Sequence, residues 1–263
     1  MRYVLVTGAG GGMGRATVRA LCRQGFFVFA LDKKALPEEE NVMPLAVDVT
    51  EEEDVLRAFR KVREVTDSLY AIVHYAGIYA LDSLVEIESE AFERIFRINL
   101  FGAYYVNKTF LPLLKSGSRI LMTTSELAPL DPLPFTGIYA VTKAALDKYA
   151  YALRMELQLL DIRVSVLRAG AVRTDMLGAS TDALTRFCEK TKLYRYNAAR
   201  FRQIVDRVEA RSVSPEKLAE KSLSILAKRS PAFSYALNRN PLLRLLSCLP
   251  KSWQCAIIRR ILR

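Results

Sequence analysis

Histidine is almost missing from this chain: among 263 residues there is one, His74. The four cysteines (Cys22, Cys188, Cys248, Cys255) lack the paired spacing of metal ligands. With one imidazole and no cysteine pairs, a zinc site is not expected. The same thiols read as the reduced cysteines of a cytosolic protein, since redox compartment governs disulfides. Long apolar runs are missing too. None reaches about 18 residues, so no membrane-spanning helix is expected. The opening run Tyr3-Val4-Leu5-Val6 ends at Thr7-Gly8 without the longer apolar core and cleavage site of a signal peptide. Acidic residues are absent from Pro231 onward, where six basic ones occur (Arg239, Arg244, Lys251, Arg259, Arg260, Arg263). Much of the net charge of +11 is therefore a property of the tail. That charge lies beside aliphatic residues and outside any base-reading module, which argues against nucleic acid.

What is present is enough for one large α/β domain. Apolar residues make up 51% and charged residues 25%, the balance of a globular chain with a substantial core. Residues 3–6 read as a buried strand, and Gly8-Ala9-Gly10-Gly11-Gly12-Met13-Gly14 leads from it into a helical pattern. Strand, glycine turn and helix in that order form a pyrophosphate cradle: Gly8 allows the tight turn, while Gly12 and Gly14 allow close backbone approach. The helix N-terminus directs free N–H groups at the anion. A second strand, 26–31, ends at Asp32, about 20 residues past the glycines, where a carboxylate accepts both adenosine ribose hydroxyls and repels a 2′-phosphate. This favours NAD over NADP. Lys33 and Lys34 pull the other way, since either can neutralise that phosphate.

Further strands are expected at 45–49, 69–73, 119–123 and 162–167. Six strands alternating with helices predict a doubly wound parallel sheet, the Rossmann fold. Thr50 is placed to cap the next helix, and Asp48 to contact adenine or to serve in capping. The strand at 69–73 closes on His74-Tyr75-Ala76-Gly77. His74 reads as a hydrogen-bonded residue at a strand end, not as a catalyst. A long helix over 92–110 carries Asn99 among apolar neighbours, either as a packing compromise or as part of a proton relay. The fifth strand delivers Ser125 at its carboxyl end, the ligand side of such sheets.

Beyond Ser125 lies a proline-rich loop and then a helical run from Tyr139. Tyr139 and Lys143 are four residues apart, which places them one turn apart on one helix face. An ammonium beside a phenol favours the phenolate and lowers its pKa. The pair can then move a proton on and off an alcohol oxygen near neutrality, with Ser125 holding that oxygen.

In combination these motifs resemble the short-chain dehydrogenase/reductase family, over roughly residues 3–230 and in the family's order and spacing. The resemblance implies an enzyme that moves hydride between a nicotinamide dinucleotide and a carbinol or carbonyl carbon. It implies a tetrad of Asn99, Ser125, Tyr139 and Lys143, with Tyr139 as acid/base and Lys143 also on the nicotinamide ribose. It implies cofactor contacts at Gly8, Gly12, Met13, Gly14, Asp32, Asp48, Val49, Ala76, Gly77 and Val172, with Thr174 on the carboxamide. Three departures stand out. The family's Asn-Asn-Ala-Gly is His74-Tyr75-Ala76-Gly77, its Pro-Gly is Ala169-Gly170, and the serine-to-tyrosine interval is one residue longer than usual.

The expected organisation is a catalytic domain over 1–230, a substrate lid over about 177–212, and a basic amphipathic extension over 231–263. Ser214-Pro215 marks a helix start. In the extension, Trp253, Ile257, Ile258, Ile261 and Leu262 project to one side, with Arg259, Arg260 and Arg263 on the other. Such a helix either packs on protein or lies on an anionic membrane. The apolar lid and tail suggest a lipophilic secondary alcohol or ketone, such as a hydroxysteroid or a retinoid. The rivals are a 3-oxoacyl thioester ketoreductase, an epimerase or dehydratase on the same fold, and a non-catalytic cofactor-binding scaffold. A cytoplasmic homodimer or homotetramer is expected, with the helices around 92–110 and 139–158 as contacts.

Overall fold

The structure is a computed structural model that describes residues 1–209 and 211–263, with side chains described throughout these except at 175–181 and 206–209. Seven strands form one sheet: β1 (Arg2–Thr7), β2 (Phe26–Asp32), β3 (Val42–Ala46), β4 (Leu69–His74), β5 (Leu114–Ser125), β6 (Arg163–Ala169) and β7 (Ser234–Leu237). Their order is β3-β2-β1-β4-β5-β6-β7, and every pairing is parallel. Parallel strands must be covered on both faces, which explains the nearly unbroken apolar runs of β1, β2 and β4.

Alternation within the strands divides the core. Leu5 and Phe29 face one layer, formed with α2 (Glu52–Val65), α4 (Gly102–Phe110) and α5 (Gly137–Leu157). Val4, Val6 and Val28 face the other, formed with α1 (Gly12–Arg23) and α8 (Pro215–Leu226). Each fully buried Leu, Ile or Phe contributes roughly 1.5–3 kcal/mol.

The helix expected at 92–110 starts earlier and is interrupted. It runs as α3 (Ser89–Phe96), a π-helical turn (Arg97–Phe101) and α4. The turn contains Asn99. The third strand lies a few residues earlier than expected, at Val42–Ala46, leaving Asp48 and Val49 beyond its carboxyl end. Thr50 does not cap α2, whose N-cap is Glu51. The Thr50 hydroxyl is held 2.7 Å from Asp48 Oδ1.

The division at residue 230 needs correction. Residues 234–237 are a strand of the main sheet, paired with β6. Ser234–Leu237 is short and only half-buried, so it carries little apolar signal. The rest of the expected extension is two helices, α9 (Pro241–Ser247) and α10 (Lys251–Leu262). The segment expected to form a lid contains α6 (Asp175–Lys190) and α7 (Arg195–Glu209). Residue 210 and the side chains of 177–181 and 206–209, within the expected lid, lie outside the described residues.

Candidate active site

A cleft of about 1120 Å³ opens beyond the carboxyl ends of β1, β2 and β4. It lies where the strand order reverses, between β1 and β4, the place where open α/β sheets bind ligands. The glycine turn forms its floor. Gly8 adopts φ +65°, and a Cβ there would sit 2.5 Å from the Ala76 nitrogen. A Cβ on Gly14 would run into the Gly8 carbonyl oxygen. At Gly8 and Gly14 the turn is thus folded onto backbone too closely for a side chain. Gly11 is the N-cap of α1 and supplies no side-chain cap. The first N–H groups of that helix are therefore available to an anion. Met13 also lines the cleft.

The acidic end is more elaborate than its spacing implies. Asp32 Oδ2 accepts the Gly10 N–H at 2.9 Å, and Oδ1 accepts the Lys34 N–H at 3.0 Å. One carboxylate fixes the glycine turn while lining the cleft. Lys33 is drawn to Asp48, 2.6 Å from its Oδ2. Asp48 Oδ1 also accepts the Thr50 N–H at 3.0 Å. Its carboxyl stays below the usual range: burial opposes this, but Lys33 and the Thr50 donors together outweigh it. Val49 lines the same end.

Ala76, Gly77 and Thr174 line the cleft at its other end. Thr174 closes over the turn, its Cγ2 2.7 Å from where a Gly12 Cβ would be. Val172 does not line the cleft. It is buried against the α1/α8 layer and bridges to Val213, so a contact through its side chain is not what the structure provides.

The His74-Tyr75 departure acquires a physical account. His74 Nε2 lies 2.9 Å from Asn107 Oδ1, and burial lowers its pKa to about 4, keeping the ring neutral. Tyr75 donates its hydroxyl to Ser222 of α8 at 2.7 Å, and the Thr17 hydroxyl of α1 lies 2.9 Å away. Burial pushes that phenol up to about 12. Tyr75 therefore ties β4 to both helices behind the glycine turn, which supplies strand support by another route.

The four expected catalytic residues converge. Ser125 ends β5, its hydroxyl accepting the Leu127 N–H at 3.2 Å, and it acts on the Tyr139 phenol of the first turn of α5 by pulling that group's pKa down against burial. Lys143, one turn on, has its Nζ 5.8 Å from the Tyr139 ring centroid and donates to the Thr123 carbonyl at 3.2 Å. Asn99 Oδ1 accepts the Ile78 N–H at 2.8 Å, while its Nδ2 donates to the Ile78 carbonyl at 3.0 Å and to Thr142 Oγ1 at 3.1 Å. The π turn presents Asn99 to that backbone, a distortion frequent at functional sites. Gly77 joins the cluster to the cleft: a Cβ there would meet Asn99 Oδ1 at 3.2 Å and Lys143 Nζ at 3.4 Å. The cluster lies just behind the cleft wall formed by Gly77, Ile78 and Tyr79, and the Tyr79 ring packs on Tyr139 at 4.8 Å.

One expectation is reversed in the protein by itself. Spacing predicts a phenol lowered by its lysine. Instead burial, then Tyr79, pushes the half-buried Tyr139 phenol up, against the pull of Ser125. Burial also holds the Lys143 ammonium down to about 8. The two groups share a desolvated setting that penalises both charges.

Several contributors carry no motif. Leu36 sits over the turn, with Cδ2 2.8 Å from a Gly10 Cβ position. Tyr79, Arg94, Arg97 and Arg186 line the cleft. Their positions depend on how loops and the lid return to the sheet, which no local spacing encodes. Among the described residues, no group of three or more His, Cys, Asp or Glu is placed to hold a metal ion.

The family model described as short chain dehydrogenase matches residues 2–185. Mouse estradiol 17-beta-dehydrogenase 2 is 35% identical over 190 residues, covering 68% of this chain and 50% of that protein. This chain thus matches only half the length of that relative. The 3-ketodihydrosphingosine reductase of Bacteroides thetaiotaomicron is 25% identical over 253 residues, 96% of this chain and 93% of that one. Among solved structures, a Burkholderia cenocepacia short chain dehydrogenase in complex with NADP superposes with TM-score 0.73 at 22% identity, covering 100% of both chains. The Brucella melitensis 3-ketoacyl-(acyl-carrier-protein) reductase complexed with NADH gives 0.72 at 23%, covering 90% and 95%. At those identities the structures establish the shared fold.

Proposed function

The chain belongs to the short-chain dehydrogenase family of NAD(P)-dependent oxidoreductases, and from that premise we propose that it interconverts a lipophilic secondary alcohol and its ketone. The observation that carries this reading is the convergence of Ser125, Tyr139, Lys143 and Asn99 behind Gly77, at the wall of the dinucleotide cleft.

The cradle fits the cofactor. Glycines at positions a Cβ would block, uncapped N–H groups at the start of α1 and a carboxylate at the end of β2 match a pyrophosphate and a ribose diol. Gly8, Gly12, Met13 and Gly14 would hold the pyrophosphate, and Asp32 the adenosine ribose. Val49 and Asp48 would flank the base, and Ala76, Gly77, Lys143 and Thr174 the nicotinamide half. When bound, the dinucleotide supplies or accepts hydride at its nicotinamide ring.

The chain's own residues handle the proton. In oxidation, the substrate carbinol carbon loses hydride while its O–H proton passes to the Tyr139 oxygen and the phenol's own proton moves to the neutral Lys143 amine. In reduction, Tyr139 returns that proton to the oxygen of the carbonyl. Ser125 orients the substrate oxygen through its hydroxyl. Lys143 takes the proton onward, and Asn99 positions the turn through Thr142, whose hydroxyl donates to the Tyr139 carbonyl. NAD is the preferred form in this reading, supported by the Asp32 carboxylate and by the commitment of Lys33 to Asp48.

A lipophilic substrate is supported by the apolar lid. Leu184, Phe187, Ala198 and Phe201 of α6 and α7 pack with Leu81 and Phe135, close to Tyr79. Two relatives are named estradiol 17-beta-dehydrogenase 2 and 3-ketodihydrosphingosine reductase. We place the protein in a reducing, cytoplasmic setting, supported by its four free cysteines.

The test is turnover of a panel of hydroxysteroids, retinols, long-chain 3-ketones and 3-oxoacyl thioesters with NAD(H) and NADP(H). Tyr139→Phe is expected to lower kcat/KM at least about 10²-fold, the lower end for acid–base catalysis. Asp32→Ala is expected to narrow the NAD preference. Unchanged turnover in Tyr139→Phe overturns the assignment. Turnover of the thioesters alone replaces the substrate class.

A further inference from the structure

We propose that the outward face of α9 and α10 docks on an anionic lipid bilayer. The expected one-sided apolar stripe of the tail is divided by the fold. Gln254, Ile258 and Leu262 turn inward. Leu262 is buried and Ile258 partly so, both against the Phe135/Phe187/Phe201 cluster of the lid. The Leu262 carbonyl accepts from Asn197 Nδ2 of α7 at 2.7 Å. Gln254 donates to Asp131 at 2.8 Å, and Lys251 pairs with the same carboxylate. That side of α10 is satisfied by protein.

The adjoining side is not. Trp253, Ile257 and Ile261 follow one another at a spacing of four, and are 63%, 37% and 52% exposed. This is one continuous stripe along the helix. Leu242 and Leu245 of α9 are exposed as well. Scattered apolar side chains on a surface need no explanation, but a Trp and two Ile in line along one helix face do.

Charge selects the occupant. Arg259, Arg260 and Arg263 are exposed on the same helix, Arg244 on α9, and residues 231–263 contain no Asp or Glu. An apolar stripe with arginines beside it and no carboxylate matches an interfacial helix on negatively charged headgroups. Trp is also suited to the bilayer boundary, with an apolar body and a polar N–H. Among the described residues no helix is long and apolar enough to cross a membrane, so the contact proposed is lateral. The docked helix is held to the loop between Ser125 and Tyr139 through Asp131, which ties the membrane contact to the catalytic loop.

The chain offers a direct reporter, because Trp253 is its only tryptophan. Full-length protein is mixed with phosphatidylcholine vesicles with and without phosphatidylglycerol, and Trp emission and cosedimentation are recorded. Anionic vesicles should shift emission to the blue and pellet the protein; neutral vesicles should do neither. High salt should reverse binding, since the Debye length contracts to about 3 Å at 1 M. The Arg259→Gln/Arg260→Gln variant should lose about 30-fold in partitioning, from roughly fivefold per basic residue near an anionic surface. Ile257→Ser/Ile261→Ser should also weaken it. Dinucleotide binding verifies that both variants are folded. The salt and lipid arms use the unaltered chain and stand if a variant fails to fold. Equal response to both vesicle types, or none to either, overturns the proposal. So does blue emission without vesicles that deepens with protein concentration, which would mean that a second copy covers the stripe. None of these readouts requires turnover, so the proposal and the catalytic reading fail separately.

Discussion

Lys143 shows how one residue holds two opposed demands. Its amine must lie inside the protein to reach Tyr139, and that burial brings its pKa down to about 8. In the folded chain the neutral amine is thus favoured relative to the unfolded one. By linkage, the stability cost of burying the ammonium is present below about pH 8 and is relieved as pH rises from there toward the ordinary lysine value. The Tyr139 phenol is pushed the other way, so the first proton to leave the pair leaves near the lysine value. A neutral Lys143 beside a protonated phenol and an ammonium beside a phenolate contain the same number of protons, and the pair titrates as one unit. Oxidation delivers a proton to the pair and should rise with pH through about 8; reduction should fall across the same range. The pH profile of kcat/KM in both directions checks this, and Lys143→Arg should abolish the inflection. A flat profile through that region would show that the pair does not carry the proton.

At the scale of elements, Ser125 is only as well placed as the strand that ends with it. The carboxylate of Asp147, two turns beyond Tyr139 on α5, accepts from Arg168 of β6 at 3.0 and 2.7 Å and from Thr124 of β5 at 3.1 Å. Thr124 and Arg168 are partners in the β5–β6 register. One buried carboxylate therefore locks the helix bearing Tyr139 to the strand bearing Ser125. Removing one partner of such a pair strands the other, at a cost of about 3–5 kcal/mol. Asp147→Ala should lower Tm by about 6–20 °C, on the scale of about 2–4 °C per kcal/mol for a domain of this size. Thermal unfolding of Asp147→Ala beside Asp147→Ala/Arg168→Ala checks it. The double variant should recover part of the loss, because no charge is left unpaired. Equal losses in both would mean that the pair is not what joins the elements.

For the molecule as a whole, the exposed apolar side chains among the described residues include two groups carried on helices. One is the tail face described above. The other lies on the helices beside β4 and β5: Phe101 in the π turn, Tyr104 on α4, and Val141, Tyr151 and Met155 on α5. Aromatic residues and Met are enriched where subunits meet. We propose a homodimer or homotetramer through these helices. Light scattering should give two or four times 29.7 kDa, and Tyr151→Glu/Met155→Glu should move the mass toward a single chain. A monomer at every concentration would leave this face without a subunit contact.

Much of this was legible in the chain because it depends on local chemistry. The glycine turn, Asp32, Ser125 and the Tyr139–Lys143 spacing each follow from what a short segment must do by itself: turn tightly, end a strand, or share a helix face. Strands β1, β2 and β4 were legible because a strand buried on both faces is apolar throughout. β7 was not, because four half-buried residues leave no such trace. Asn99 was visible as a polar residue among apolar ones, but the π turn that aims it at Ile78 was not.

The sequence by itself determined the parallel sheet, the order of the motifs along it and the chemistry that those side chains can perform. Only the tertiary structure decided that Tyr139 is raised and not lowered, that Lys33 goes to Asp48, and that the tail helix gives half of its apolar stripe to the lid. The reason is common to all three. Burial, pairing and exposure are properties of what surrounds a residue, and those neighbours come from segments far away in the chain.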